Sequence, residues 1–400
     1  MSVPAHEGRR PVDLMSGPRA PEAVAELASA GPVADDVNGM VWIFPHADVE
    51  RLASDRRLAG VGLGFFDLMD ITDGPLRRWY GSLMFTNEGA VHDRLRRLVI
   101  RAFKPRAVET LRASTRALVD EELTTVRRDG GGDLVHAFRF VPMRVMCRLL
   151  GIPQEDVPIF AEWTDALSPV FGFMSPEQVA AATKGLEALL VYMEELVERR
   201  RRSPGDDLVS ALIEAEEDGS RLDRRELIDM ASNLLVAGHD TTASQTGCSL
   251  FELLHHPEVV TELYQRPDMV SPVLDETMRL QPAIGFLPRT VAEPVEVAGR
   301  TLEPGTMLGL GISSANRDPA VWERPAVFLP DRFARPKAPR LLSFGTGPHY
   351  CLGANLARMT LTETLRGVAE RPVRSTVDPA AVEWRLILGR SPVSLPVEPC

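Results

Sequence analysis

No proline interrupts the chain between Asp223 and Pro257. Proline removes a helix donor and clashes with the preceding turn, so its absence here lets one helix run for roughly thirty residues, on the order of 50 Å. Asp223-Arg224-Arg225-Glu226 opens this stretch as a capping box. A helix of that length crosses a whole domain. Its middle, Gly238-His239-Asp240-Thr241-Thr242, is poor helix material at the point that should be best packed. Local rules that fail inside a strong element mark function.

A second feature names the chemistry. In Phe344-Gly345-Thr346-Gly347-Pro348-His349-Tyr350-Cys351-Leu352-Gly353, a cysteine follows two glycines and precedes a third. Glycines permit a tight turn and leave room above a flat group, and backbone N–H groups in such a turn moderate the charge of a thiolate. The other cysteines, Cys147, Cys248 and Cys400, are scattered without paired spacing, which argues for a reducing compartment rather than a disulfide framework. His349 and Cys351 are too few for a zinc site. Cys248 reads as core.

The chain has 400 residues, 44% of them hydrophobic, and a net charge of −11. Such a chain can bury a large core, and its charge argues against nucleic acid as the main partner. Met1 to Gly31 has no apolar core of a leader and no span of about twenty apolar residues, so a cytoplasmic location without a membrane anchor is expected. Arg199 to Arg202 close a helix before Ser203-Pro204-Gly205, where positive charge suits the helix dipole.

Residues 1–35 read as a loosely structured entry segment and 36–400 as one mainly α domain with a minor β region. Met40 to Phe44 reads as a strand and Ala47 to Ala53 as a helix. Gly60 to Asn87 reads as irregular, with exposed-looking aromatics. Val91 to about Arg202 is mostly helical. Short strands flank turn signals at Ala298-Gly299 and Pro304-Gly305. A proline-rich meander from Asn316 to Pro339 leads to the cysteine loop, and Asn355 to about Glu370 returns to helix.

The cysteine loop resembles the haem-binding loop of the cytochrome P450 family at every fixed position. Three further matches follow the family's order. Glu276-Thr277-Met278-Arg279, with Arg332 in Phe328-Leu329-Pro330-Asp331-Arg332-Phe333, resembles the buried Glu–Arg–Arg cluster that locks the meander. Ala237-Gly238-His239-Asp240-Thr241-Thr242 resembles the oxygen-activation site. The resemblance implies that Thr241 donates to an iron-bound oxygen and Asp240 relays protons, with Gly238 clearing space; His239 receives no role. His92 and Arg96, in His92-Asp93-Arg94-Leu95-Arg96, resemble the family's His-x-x-x-Arg pair for haem propionates, although Thr86 to Ala90 departs from the usual preceding sequence. Arg289 and His349 complete the propionate set, and Arg suits carboxylates through paired charge-assisted bonds.

The resemblance implies haem b held by Cys351 as metal ligand, with Phe344 and Gly353 part of the cofactor loop. An axial thiolate favours O–O cleavage. The expected reaction inserts one atom of dioxygen into a hydrophobic small molecule. Family positions for the substrate pocket fall at Phe85, Leu234, Ala237, Ile284, Phe286, Leu287 and Ile387, and Ser168 to Pro176 and residues 60–87 should form variable walls. No flavin or dinucleotide fingerprint is present, so electrons are expected from a separate ferredoxin and its reductase. Arg97, Arg101 and Lys104 are the expected landing site, on a chain expected to be a monomer. A peroxide-driven oxygenase is an alternative, disfavoured by Asp240-Thr241. A catalytically silent haem module is another, disfavoured by undegraded motifs.

Overall fold

The computed structural model describes residues 20–37, 39–214, 222–386 and 390–400. The long helix spans Arg224–Leu254 without interruption. Asp223 accepts from the Glu226 N–H at 2.8 Å and Glu226 accepts from the Asp223 N–H at 3.0 Å, which satisfies two of the donors a helix start leaves open. Every residue from Leu227 to Val236 is buried. A helix buried all round carries no amphipathic stripe and serves as a core element. Helices Val141–Leu150, Pro176–Arg202, Val270–Leu280 and Ala354–Glu370 pack around it.

The main sheet has five strands in the order Val33–Asp35, Val41–Ile43, Met307–Gly311, Phe286–Val291, Leu58–Ala59. Val41–Ile43 runs parallel to Met307–Gly311 and every other pairing is antiparallel. Strand side chains alternate between faces. Val41 and Ile43 therefore join the cluster of Val49, Leu52, Leu308 and Leu310, while Met40, Trp42 and Phe44 join Val24 on the other face. Val295–Val297 and Arg300–Leu302 form a hairpin whose turn residues Ala298 and Gly299 have φ of 51° and 76°, the left-handed pair that matches strand twist.

Two expectations need correction. Within the segment read as loosely structured, residues 20–30 form a helix and Val33–Asp35 a strand, while residues 1–19 lie outside the described residues. The cause is an alanine-rich run whose Val24, Leu27 and Ala28 recur at helical spacing and pack on Met40, Trp42 and Phe44. Residues 60–87 carry helices Gly64–Leu68 and Pro75–Ser82, and Phe65, Phe66, Trp79 and Tyr80 are buried rather than exposed. Their aromatic rings hold these short helices down; Phe66 and Tyr80 lie 5.0 Å apart. Among the described residues, no helix is long and apolar enough to cross a membrane.

Candidate active site

A cavity of about 340 Å³ lies between the long helix and the cysteine loop. Asn233, Leu234, Ala237, Gly238, Thr241, Thr242 and Gln245 line it. Their steps of one, three and four residues trace one face of an α-helix. Gln245 fixes the opposite wall. Its amide donates to the Gln281 carbonyl at 3.0 Å and accepts from the Ala283 N–H at 2.9 Å, which sets Ala283 and Ile284 into the cavity.

Phe85, Leu234, Ala237, Ile284 and Leu287 line the cavity as expected from the sequence. Phe286 does not: its ring packs on Trp42 at 4.8 Å between centroids, because adjacent strand residues face opposite sides. Ile387 lies outside the described residues. Phe171 packs on Phe85, with 5.9 Å between ring centroids. Gly238 lines the cavity, and a Cβ there would also come within 2.9 Å of Met146 Sδ. That glycine admits a thioether as well as clearing the cavity.

The loop closes tightly around Cys351. Gly345 and Gly347 have φ of 69° and 72°, conformations that glycine adopts without steric cost. A Cβ on Gly347 would lie 2.7 Å from Ser54 Oγ. The Cys351 N–H donates to the Phe344 carbonyl at 3.0 Å. Cys351 is exposed and lines the cavity. Burial pushes the thiol up, while the Gly353 N–H and the Arg96 charge pull it down. Gly353 lines the cavity too, and a Cβ there would meet no protein atom within 4 Å. By contrast, burial pushes the Cys147 and Cys248 thiols up to about 12. Both are inert core groups, and Cys248 Sγ donates to the Arg390 carbonyl at 3.0 Å.

Near the sulfur lies a cluster of imidazole and guanidinium donors. The His92 and His349 rings lie 4.4 Å apart, and Arg96 Nη2 donates to the Tyr350 carbonyl at 2.7 Å. His349 Nε2 pairs with Glu88 at 3.0 Å, and the other Glu88 oxygen accepts from the Gly60 N–H at 2.7 Å. Burial raises the Glu88 carboxyl, but the His349 and Gly60 bonds and the charges of His349 and Arg289 hold it below its ordinary value. Burial depresses Arg289 and Arg96 alike, Glu88 opposing this at Arg289 and Cys351 and Asp93 at Arg96. His92 Nε2 is buried without a partner. Two arginines and two histidines share two carboxylates, Glu88 and Asp93, the latter 3.0 Å from His92 Nδ1, and their remaining N–H groups can hold further anions. With the Cys351 sulfur and the orphaned His92 nitrogen, this set would suit a haem. His92, Arg96 and His349 line the cavity and could hold its propionates, whereas Arg289 does not line it and donates to the Pro288 carbonyl at 2.9 Å. Bound there, the haem iron supplies dioxygen binding and reduction.

Glu276, Arg279 and Arg332 meet in a fully paired buried cluster. Glu276 accepts from Arg279 at 2.8 and 2.9 Å and from Arg332 Nε at 3.0 Å. The remaining guanidinium donors reach carbonyls of Asn316, Glu323, Pro325 and Val327, so the cluster binds the meander to the end of the Val270–Leu280 helix.

Thr241 lines the cavity, but its hydroxyl donates back to the Ala237 carbonyl at 2.9 Å rather than into the cavity as the resemblance implies. Asp240 does not line the cavity; Gly238 and Asp240 lie about 200° apart on the helix. Its carboxylate instead lies 3.7 Å from His239 Nε2.

Two residues that the sequence alone does not single out lie on the same helix, Asn233 lining the cavity and Asp229 one helical turn before it. Asn233 and Asp229 are each 4% exposed, and each has an Oδ1 without a partner. Both border an adjoining space of about 150 Å³, which Asn233 shares with the main cavity. Burial raises the Asp229 carboxyl against Ser82 and Arg225. Asp229, Asn233, Ala237 and Thr241 follow one another at four-residue steps, which was the available signal.

The cytochrome P450 family model matches residues 70–368. The chain is 38% identical over 365 residues to nocardicin C N-oxygenase of Nocardia uniformis subsp. tsuyamanensis, covering 89% of each. It is 36% identical to mycinamicin IV hydroxylase/epoxidase of Micromonospora griseorubida, over 76% of this chain and 77% of that protein. The crystal structure of CalO2 superimposes with a TM-score of 0.88 at 28% identity, over 95% of both chains. A cysteine loop, a cavity and an interrupted-looking helix thus converge with these likenesses: the chain belongs to the cytochrome P450 family of haem-dependent monooxygenases.

Proposed function

We propose that the chain binds haem b through Cys351 and oxygenates an apolar secondary metabolite that carries a hydrogen-bond donor. The observation that carries this reading is the cavity itself. Its walls are Phe85, Val145, Leu234, Ala237, Ile284 and Leu287, and Asn233, with its bare acceptor, lines it too. Asn233 lies eight residues from Thr241, about 12 Å along the helix. A hydroxyl or amine at that distance from the oxidised carbon would satisfy a buried oxygen that is otherwise costly. Relatives named for oxygenation of nocardicin C and mycinamicin IV support a complex natural product.

In this reading His92, Arg96, Arg289 and His349 hold the propionates, Phe344 and Gly353 shape the loop, and Thr241 with Asp240 delivers protons. Glu276, Arg279 and Arg332 keep the loop in place. Electrons come from a ferredoxin and its reductase, docking where Arg97, Arg101 and Lys104 are exposed beside the cysteine loop. Asn355 donates to the Phe103 carbonyl at 3.0 Å and ties that surface to the helix following Cys351. Dispersed free cysteines support a reducing cytoplasm, and we read the chain as a monomer.

The test is the coupling of electron consumption to product in Thr241→Ala. Haem and substrate binding should persist, while reducing equivalents pass into peroxide. A general acid typically contributes about 100- to 10,000-fold. Unchanged coupling would remove Thr241 from proton delivery.

A further inference from the structure

His239 is fully buried, and neither ring nitrogen has a hydrogen-bond partner. Two bare nitrogens on a wholly buried imidazole are costly unless water or function explains them. The ring lies parallel to Phe140, 3° between planes and 6.4 Å between centroids. One nitrogen of His239 and carboxylate oxygens of Asp165 and Asp240 all lie within 4.8 Å of one another. Asp165 comes from the helix Val157–Leu167, is 45% exposed and pairs with Arg139. Arg139 in turn sits 5.4 Å over the Phe140 ring.

The helix makes this arrangement consequential. Successive residues turn by about 100°. Gly238 and Thr242 face the cavity, Asp240 points out of the back, and His239 occupies the arc between them. A proton leaving Asp240 for the cavity has to pass around the helix, and His239 borders one way round. We propose that His239 carries protons from the surface acids Asp165 and Asp240 to the cavity wall. This rests on the monooxygenase reading above. The established reaction, RH + O₂ + 2H⁺ + 2e⁻ → ROH + H₂O, consumes two protons per turnover, with electrons from the separate electron-transfer protein. Each proton enters at the bare ring nitrogen and an equivalent proton leaves from the other, which converts one neutral tautomer into the other, so the ring must flip or exchange its proton back before it passes the next one. A neutral ring, with one donor and one acceptor nitrogen, suits this traffic. Burial holds His239 below its ordinary value of 6.5; Asp240 and Asp165 pull it up, and Arg139 and Arg385 push it further down. Arg139 supplies a countercharge for Asp165.

The test uses holoenzyme carrying His239→Phe, which keeps a ring beside Phe140, and His239→Gln as the second variant, with Asp165→Asn beside them. Dioxygen-driven turnover should fall by about 10-fold or more, with peroxide released and an enlarged solvent deuterium isotope effect. Hydrogen peroxide brings both protons with its oxygen, RH + H₂O₂ → ROH + H₂O, so peroxide-driven product formation should persist. Independently of turnover, ¹⁵N-histidine spectra of the ferrous carbon-monoxide form should show the His239 nitrogens shifting in Asp165→Asn. Normal coupling in both His239 variants, equal loss of both activities, unmoved His239 nitrogens, or wild-type turnover abolished by EDTA would each overturn the relay. A wild-type protein without the thiolate–carbon-monoxide band would instead sink the family reading on which it rests.

Discussion

Arg279 grips Glu276 through two nitrogens, at 2.8 and 2.9 Å, with both side chains completely buried. The Glu276 carboxylate also accepts from the Leu329 N–H at 2.8 Å and from Arg332. A cluster of this kind adds little stability relative to apolar packing, yet removal of one member is severe because it strands buried charge. Its value is positional: it pins the meander that delivers Ser343, Phe344 and the cysteine turn.

Glu276→Ala should therefore destabilise the protein by roughly 3–5 kcal/mol and reduce haem incorporation. Thermal melting and the ratio of haem to protein absorbance check this. Full haem content with wild-type melting would show that the meander holds without the cluster.

Asn233 offers a separable prediction. Asn233→Leu removes the bare acceptor and keeps the bulk. Spin-state titration should show hydroxyl- or amine-bearing ligands losing about 10-fold in affinity, the equivalent of one buried hydrogen bond. Analogues without a donor should bind as well or better. Equal losses for both classes would mean that Asn233 only shapes the cavity.

Charge reversal at Arg97, Arg101 and Lys104 should slow reduction by ferredoxin, more at low salt than at high salt. Exposed charges act on encounter and are screened within about 10 Å at 0.1 M salt. Stopped-flow reduction across ionic strengths is the measurement. A rate indifferent to both reversal and salt would place the electron donor elsewhere.

Much of this site was legible in the sequence because its chemistry is local. The Gly345–Cys351 turn needs glycine at set positions, and the Asp223 capping box announces the helix that carries Thr241 and Asp240. Phe286 shows the limit: strand alternation would have turned it away from Leu287, but the strand Phe286–Val291 was not recognised. Its pairing partners, Met307–Gly311 and Leu58–Ala59, are distant in sequence. The helix at residues 20–30 was missed for a related reason, since its apolar face acquires meaning only against Trp42. His239 could not be read at all. Its burial and its approach to Asp165 arise from packing between helices seventy-odd residues apart, which no local pattern records.

The central claim is that Cys351 ligates the haem iron as a thiolate. The most direct measurement is the carbon-monoxide difference spectrum of the reduced protein, taken for wild type and for Cys351→Ala, Cys147→Ala, Cys248→Ala and Cys400→Ala. The account predicts the long-wavelength band of a thiolate-ligated haem in wild type and the last three variants, and its loss in Cys351→Ala alone. Retention of that band in Cys351→Ala, or its absence from the haem-loaded wild type, would contradict it.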